Sequence, residues 1–296
     1  MTDEASEPAG AAPESRWRVE AITLESIPRL RLGWSSRFDR EDVGRIIFEN
    51  PGLSWWSPDT GEYVIGGPWR HRREIAAIME LVASNTATAL LKAISAAAEA
   101  AGKRLIIASE HHESRQTPFY LAAGYELVEE IVIYELMNVA VSAREQWSLR
   151  FEEVNLRDAD EFRELLELDH QSFPWLWWNS REEFVNYAES FGVSIYLGRD
   201  RERRPVSYIG VTRFRNWGHL DRIAVDPARQ GQGYGLESLD WAVQSLTRSG
   251  ARRIGLSTQA RNVRSRKLYE RYGFQRVPAQ DYSLFGQWLG PMEPIS

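Results

Sequence analysis

The sequence predicts an α/β chain built as two similar halves in tandem, and three observations predict it. A glycine-rich turn in the rear half opens an amphipathic helix. That helix is followed by a short apolar strand and a second helix. The same helix–strand–helix order recurs 149 residues earlier, where Phe119, Tyr120, Gly124 and Tyr125 lie under Leu268, Tyr269, Gly273 and Phe274. The size fits: 296 residues suit about two domains, and 43% hydrophobic content is ample for two cores.

Taken in order, residues 1–16 are small, polar and mostly acidic, without the basic start and apolar stretch of a signal peptide, and read as a disordered tail. Arg18-Val19-Glu20 opens the front half, expected over 17–140. Ala87 to Gly102 is helical in pattern, and Arg104 to Glu110 reads as a strand. Ile131 to Leu136 is another strand, and the boundary between halves is expected between Asn138 and Gln146. Arg150-Phe151-Glu152 then opens the rear half, expected over 148–296, much as Arg18-Val19-Glu20 opens the front. Asp200, Arg201, Glu202, Arg203 and Arg204 form a solvated hairpin turn. His219 to Val225 is a strand whose alternation puts His219, Asp221 and Ile223 on one face.

The turn itself is Val225-Asp226-Pro227-Ala228-Arg229-Gln230-Gly231-Gln232-Gly233-Tyr234-Gly235. Three glycines at alternate positions let backbone N–H groups converge on an anion, with a helix dipole behind them. No Lys-Ser or Lys-Thr follows, so it is not a P-loop. The spacing G-x-G-x-G is not the dinucleotide fingerprint either. Leu236, Leu239, Val243 and Leu246 form the apolar stripe of the helix, closed by Gly250. Arg253 to Ser257 is a buried strand. Gly273 suits the left-handed position past the end of the last helix.

These residues resemble the GCN5-related N-acetyltransferase (GNAT) superfamily over roughly residues 150 to 290. Gln230, Gly233 and Gly235 match its Q/R-x-x-G-x-G/A coenzyme A loop. Asn262, Ser265, Leu268, Tyr269, Gly273 and Phe274 match N-x-x-[AS]-x-x-L-Y-x-x-x-G-F. The resemblance implies two GNAT-like domains, each a central mixed, mostly antiparallel sheet flanked by helices with a splayed strand pair. It implies acetyl-CoA as co-substrate, with Ile223, Ala224 and Val225 along the pantetheine arm and Gly231, Gln232, Gly233, Tyr234, Gly235 and Leu236 around the pyrophosphate. Asn262 is implied as a further pantetheine contact. Tyr269 is implied as the general acid toward the departing sulfur, and a phenol of pKa near ~10 is protonated at neutral pH. A core role for Tyr269 is the alternative.

The first or third position of the strand before the turn supplies the base in serotonin N-acetyltransferase and the histone acetyltransferases, and here these are His219 and Asp221. Histidine accepts a proton near neutrality, with Asp221 orienting it or replacing it. A hydrogen-bonded strand histidine without a catalytic role is the alternative. The acceptor loop of the family falls on Ser172-Phe173-Pro174-Trp175-Leu176-Trp177-Trp178-Asn179. Phe173, Trp175, Trp177 and Trp178 either line a pocket for an apolar or aromatic amine, hold a cation over indole faces, or pack against the front half. The F-P-W run resembles ribosomal-protein alanine N-acetyltransferases, but Ser257 stands where those carry a Glu.

The front half resembles the same fold without its loop, since Val82-Ala83-Ser84-Asn85-Thr86 replaces the glycines and Glu113 replaces Asn262. Tyr120 survives there in the position of Tyr269, and a core aromatic with a hydrogen-bonded tip is an equal reading. His71, His111 and His112 lack metal-ligand spacing, and no metal is expected. Zero cysteines exclude disulfides, thiolate metal sites and a cysteine nucleophile. A net charge of −6 gives no support to a nucleic-acid partner, and no apolar run is long enough to span a membrane. The expectation is a cytoplasmic N-acetyltransferase of a small amine, either a monomer with pseudo-dimeric domains or a homodimer. Mycothiol synthases share the layout of a silent front and active rear copy. The alternatives are a non-catalytic coenzyme A-binding sensor or assembly module, or a protein N-terminal amine acetyltransferase.

Overall fold

The computed structural model describes residues 17–111, 115–139 and 146–291. The expected tail, His112, Glu113 and most of the expected boundary lie outside them. In chain order the elements are β1 (Glu20–Ala21), α1 (Arg40–Glu49), β2 (Trp55–Trp56), β3 (Tyr63–Trp69), β4 (Arg72–Val82), α2 (Ala87–Ala100), β5 (Leu105–His111), α3 (Thr117–Ala122) and β6 (Glu126–Met137). The rear half follows with β7 (Arg150–Glu153), α4 (Ala159–Ser172), α5 (Arg181–Glu189), β8 (Val193–Arg199), β9 (Pro205–Phe214) and β10 (Trp217–Val225). It ends with α6 (Tyr234–Arg248), β11 (Arg253–Gln259), α7 (Val263–Tyr272), β12 (Gln275–Arg276) and β13 (Tyr282–Trp288).

The chain forms two compact units: residues 1–67 with 78–101, and residues 68–77 with 102–296. The first holds β1, β2, most of β3, the end of β4, and helices α1 and α2. Its core is Ile22, Ile27, Leu30, Val43, Ile46, Trp56, Tyr63 and Ile65. Helix α1 starts on a capping box, in which Asp39 accepts from the Asp42 N–H and Asp42 accepts from the Asp39 N–H.

The second unit contains the rear half together with strands from the front. Its strand order is β5-β13-β6-β11-β10-β9-β8-β7. Strand β13, the last of the chain, pairs antiparallel with β5 on one side and β6 on the other. Strand β6 in turn pairs antiparallel with β11 along its whole length. Each half therefore completes its sheet with a strand of the other, and the compact units cut across the repeat rather than following it. Val128, Ile131, Ile133 and Leu284 join Leu105, Ile107 and Trp177 in one core, which covers the apolar face that each strand would otherwise expose.

The mixed, mostly antiparallel sheet expected from the sequence is present, and the parallel pair of β10 and β11 is the significant one. β10 and β11 pair only from Trp217↔Arg253 to Leu220↔Leu256. Beyond Leu220 they part, while β11 stays paired to β6 as far as Gln259↔Ile131. This is the splayed pair. It leaves the last residues of β10 without a strand partner on that side.

A bulge changes the face assignment on β10. The register against β9 slips between Leu220 and Arg222, so Asp221 is the extra residue. His219 and Asp221 stay together on the α5 side. Ile223, expected on their face, instead packs with Leu220 in the core beneath α6. Strict alternation fails here because a bulge places two successive residues on one face.

Candidate coenzyme site and acceptor loop

Helix α6 begins where the glycines end. Its N-cap is Gly233, at φ 91°, and Gly231 is also left-handed at φ 85°. A Cβ on either would meet nothing within 4 Å, so both face open space rather than packed neighbours. A Cβ on Gly235 would touch Leu268 at 3.7 Å, an ordinary contact. The apolar stripe forms as expected for Leu239, Val243 and Leu246, all buried. Leu236 is half exposed because it faces the groove rather than the core. Beneath the first turn, the buried carboxylate of Glu237 accepts from Ser148 Oγ at 2.5 Å and the Leu149 N–H at 2.7 Å.

The opening between β10 and β11 continues past this turn as a groove of about 980 Å³. Ile223, Ala224, Val225, Gln230, Gly231, Gly233, Gly235, Leu236, Asn262 and Tyr269 all line it. The structure thus brings most of the expected coenzyme residues to one surface. The glycine N–H groups and the α6 N-terminus suit a pyrophosphate, and the unpaired edge of β10 suits an amide-bearing arm. Asn262 caps α7, its Oδ1 accepting from the Ser265 N–H at 3.1 Å. Its Nδ2 is a separate donor. The basic side chains Arg264, Lys267 and Arg271 line the same groove from α7. Arg264 donates to Gln230 Oε1 across the turn at 2.5 Å.

Tyr269 is 4% exposed, packed among Tyr134 and Phe274, yet its surface lines the groove. Burial pushes its phenol up to about 12, against a lowering by Ser265. The proton is therefore held firmly at neutral pH, and the phenol stays a hydrogen-bond donor.

His219 and Asp221 are joined, Nδ1 to Oδ1 at 2.7 Å. A carboxylate only accepts, so Nδ1 donates and Nε2 is left as the basic nitrogen. The other Asp221 oxygen accepts from Tyr187 and from Thr212, each at 2.6 Å. Burial and the nearby Asp221 raise the Tyr187 phenol, keeping it a donor. His219 lies where β10 and β11 are still paired, Asp221 is the first residue past that pairing, and neither lines the groove.

The acceptor-loop residues divide. Phe173 and Pro174 line the groove with Ser172. Trp175, Trp177 and Trp178 turn away from it. Trp177 is buried in the core with Leu176, and Trp175 stacks on Trp288. The ring faces are already taken by the protein's own cations: Arg70 over Trp177 at 5.2 Å, Arg72 over Trp175 at 4.5 Å, and Arg222 over Phe173 at 3.9 Å.

Two clamps hold this loop, and neither was legible in the sequence. One is a buried triad in which Arg222 donates to Asp169 at 2.5 Å, to Tyr208 at 2.6 Å and to the Trp177 carbonyl at 3.0 Å. Asp169 also accepts from the Asn179 N–H at 2.9 Å. The other is the tip of the β3–β4 hairpin. Arg70 and His71 both have positive φ, 51° and 50°, which non-glycine residues adopt at a cost. Contacts offset it: Trp69 donates to the Leu176 carbonyl, Arg70 to Asn179, and Ser180 to the Arg70 carbonyl. His71 is hydrogen-bonded to Glu183 and Asn186.

The turn that takes the glycine position in the front half is built differently. None of residues 83–86 has positive φ. Glu62, 1% exposed, places its carboxylate on this turn. It accepts from Ser84 Oγ at 2.8 Å, the Asn85 N–H at 3.4 Å, and the Thr86 N–H and Oγ1 at 2.9 and 2.5 Å. An internal anion thus occupies the N-terminus of α2. Tyr120 is a core aromatic, stacked on Phe285.

Comparison with known proteins agrees with this architecture. Residues 146–274 match the Acetyltransferase (GNAT) family. A GCN5-related N-acetyltransferase from Sphaerobacter thermophilus superposes with a TM-score of 0.63 at 15% identity, covering 95% of this chain and 98% of its own. A GCN5-related N-acetyltransferase from Anabaena variabilis gives 0.62 at 14%, covering 93% and 73%. A tandem GNAT protein from the clavulanic acid biosynthesis pathway gives 0.54 at 13%, covering 94% and 100%. These likenesses concern the fold. No curated protein matches the chain.

Proposed function

We propose, on the premise that residues 146–274 form a domain of the GNAT acetyltransferase family, that the chain is an acetyl-CoA-dependent N-acyltransferase acting on the primary amine of a small acceptor. Acyl transfer from an acyl-CoA to an amine is the chemistry of that family. The observation that carries the reading is the parting of β10 and β11 beside an anion-accepting turn, with the Tyr269 phenol on the wall of the same groove.

Acetyl-CoA, when bound, supplies the activated acyl group as a thioester. The backbone N–H groups from Gly231 to Leu236 receive its pyrophosphate. Ile223, Ala224 and Val225 offer their unpaired edge to the pantetheine arm, with Asn262 Nδ2 as a further donor. Tyr269 holds the proton that the leaving sulfur needs. His219, fixed in one tautomer by Asp221, takes the proton of the attacking amine through water, since its ring sits short of the groove. The catalytic unit is read as 148–296. The front half, 17–140, is read as carrying no coenzyme of its own, because Glu62 already fills the equivalent turn.

Release of coenzyme A from acetyl-CoA across a panel of primary amines tests the reading. Amine-dependent turnover, with one acetyl-CoA bound per chain, is the expected outcome. Tight acetyl-CoA binding with no turnover on any amine would instead favour a coenzyme A-binding sensor.

A further inference from the structure

Asp221 is held by more than the imidazole beside it. Its Oδ2 accepts from the Tyr187 phenol of α5 and from the Thr212 hydroxyl of β9, each at 2.6 Å. Oδ1 is thereby left to His219 Nδ1 at 2.7 Å. The sheet leaves room for this cluster at two glycines. Gly210 of β9 pairs with Arg222, next to the bulge, and a Cβ there would meet the Tyr187 hydroxyl at 2.7 Å. His219 pairs with Thr212 on β9 and with Gly255 on β11, so the three form one row across the sheet. A Cβ on Gly255 would press on His219 Cδ2 at 3.2 Å. Neither glycine has a positive φ, so the backbone does not demand either. Each clears the space that one ring of the cluster occupies.

We propose that Tyr187 and Thr212 are positioning residues, which lock the Asp221 carboxylate so that His219 keeps its proton on Nδ1 and presents Nε2 as the base. This rests on the acyltransferase reading and assigns the supports of its base. Three considerations carry it. The two hydroxyls come from different elements and meet on one oxygen, so together they fix the direction of the carboxylate. A carboxylate held only by the imidazole would turn with the ring and select neither tautomer. Both hydroxyls are reliable donors: burial and then Asp221 hold the Tyr187 proton in place, and Thr212 is buried away from competing water. Asp221 accepts three hydrogen bonds, which takes three of its roughly four acceptor positions and leaves it the anchor rather than the base. No proton leaves Tyr187 or Thr212. The proton of the amine passes through water to Nε2, and the anchored carboxylate stabilises the imidazolium that results.

The test reads the imidazole directly. In the full chain labelled with nitrogen-15, long-range proton–nitrogen correlation distinguishes the two tautomers of the neutral ring. Signals lost in His219→Gln assign His219 among the five histidines. Wild type should carry its proton on Nδ1. Tyr187→Phe combined with Thr212→Val removes both hydroxyls with little change of shape, and should give a mixture of tautomers. With an amine that turns over, the same double variant should lose roughly tenfold or more in kcat, as for a misplaced catalytic group. KM for the amine and the acetyl-CoA dissociation constant should stay within about twofold. Thr212→Ser keeps a hydroxyl and should stay near wild type in both measurements. If the double variant does not fold, Gly210→Ala decides, since its Cβ displaces the Tyr187 hydroxyl without removing it and should likewise mix the tautomers. A wild-type ring protonated on Nε2, or an unchanged Nδ1 tautomer in the double variant, would overturn the assignment. Should no amine turn over, the acyltransferase reading fails by itself and the tautomer still decides. Mixed tautomers with an unchanged kcat would uphold the anchoring and place the base elsewhere.

Discussion

Glu62 is bonded twice to Thr86, its carboxylate accepting from both the backbone N–H at 2.9 Å and the hydroxyl at 2.5 Å. The front half thereby meets, with its own side chain, the demand for negative charge at a helix N-terminus that the rear half leaves open to solvent. Burial alone would raise this carboxyl, but hydrogen bonds from Thr86, Ser84 and Asn85 outweigh it and hold the group below the usual carboxylate range. A depressed folded-state pKa means that the stabilisation is complete above the unfolded value and is lost as pH falls through the folded one. E62A should therefore cost roughly 1–3 kcal/mol at neutral pH, for the donors left unsatisfied. The loss should shrink in acid below about pH 4. Denaturant titrations of both proteins at pH 7 and pH 3 check this, and a pH-independent difference would point to packing instead.

Gly233 and Gly235 should separate backbone strain from ligand contact. Gly233→Asp keeps an open position for its side chain but adds the left-handed penalty, about 1–2 kcal/mol. It also sets a carboxylate beside the anion turn. The protein should stay folded and lose acetyl-CoA binding. Gly235→Ala carries no φ penalty and only an ordinary contact with Leu268. Any loss of acetyl-CoA affinity in Gly235→Ala by calorimetry therefore reports crowding of the ligand. Unchanged affinity in Gly233→Asp would remove the turn from the coenzyme site.

Tyr269→Phe should lower kcat by about a hundredfold or more while changing the acetyl-CoA dissociation constant little, as for a group that gives up its proton only in the reaction. Since burial raises the phenol to about 12, Tyr269 should impose no alkaline fall in kcat below pH 10. Proportional loss of kcat and binding would mean that the ring is packing alone.

His219→Gln should reduce kcat/KM by about a hundredfold or more, and Asp221→Asn should reduce it while freeing the imidazole to adopt either tautomer. Steady-state kinetics of both variants check this, and an unchanged kcat/KM in His219→Gln would assign the base elsewhere.

Arg222→Ala should be the most damaging substitution around the acceptor loop. It leaves the Asp169 carboxylate buried and unbalanced, at a cost of about 3–5 kcal/mol. It also releases the Trp177 carbonyl. Thermal unfolding checks the magnitude, and a loss below 1 kcal/mol would show that water replaces the guanidinium.

The sequence by itself determined the elements whose causes are local. Glycines at 231 and 233 specify left-handed turns, Gly273 ends α7 at φ 114°, and the apolar stripe of α6 follows from its spacing. With Asn262 and Tyr269 at fixed offsets, that was enough to identify the fold and the groove. Only the tertiary structure decided what depends on partners distant in the chain. The exchange of β6 and β13 between halves is invisible in a repeat, because pairing energy does not record which half a strand comes from. The bulge at Asp221 breaks an alternation that spacing alone predicts. Glu62, Asp169 and Arg222 are ordinary charged residues in a sequence. They gain meaning only where folding buries each against a specific partner and makes an unbalanced charge costly.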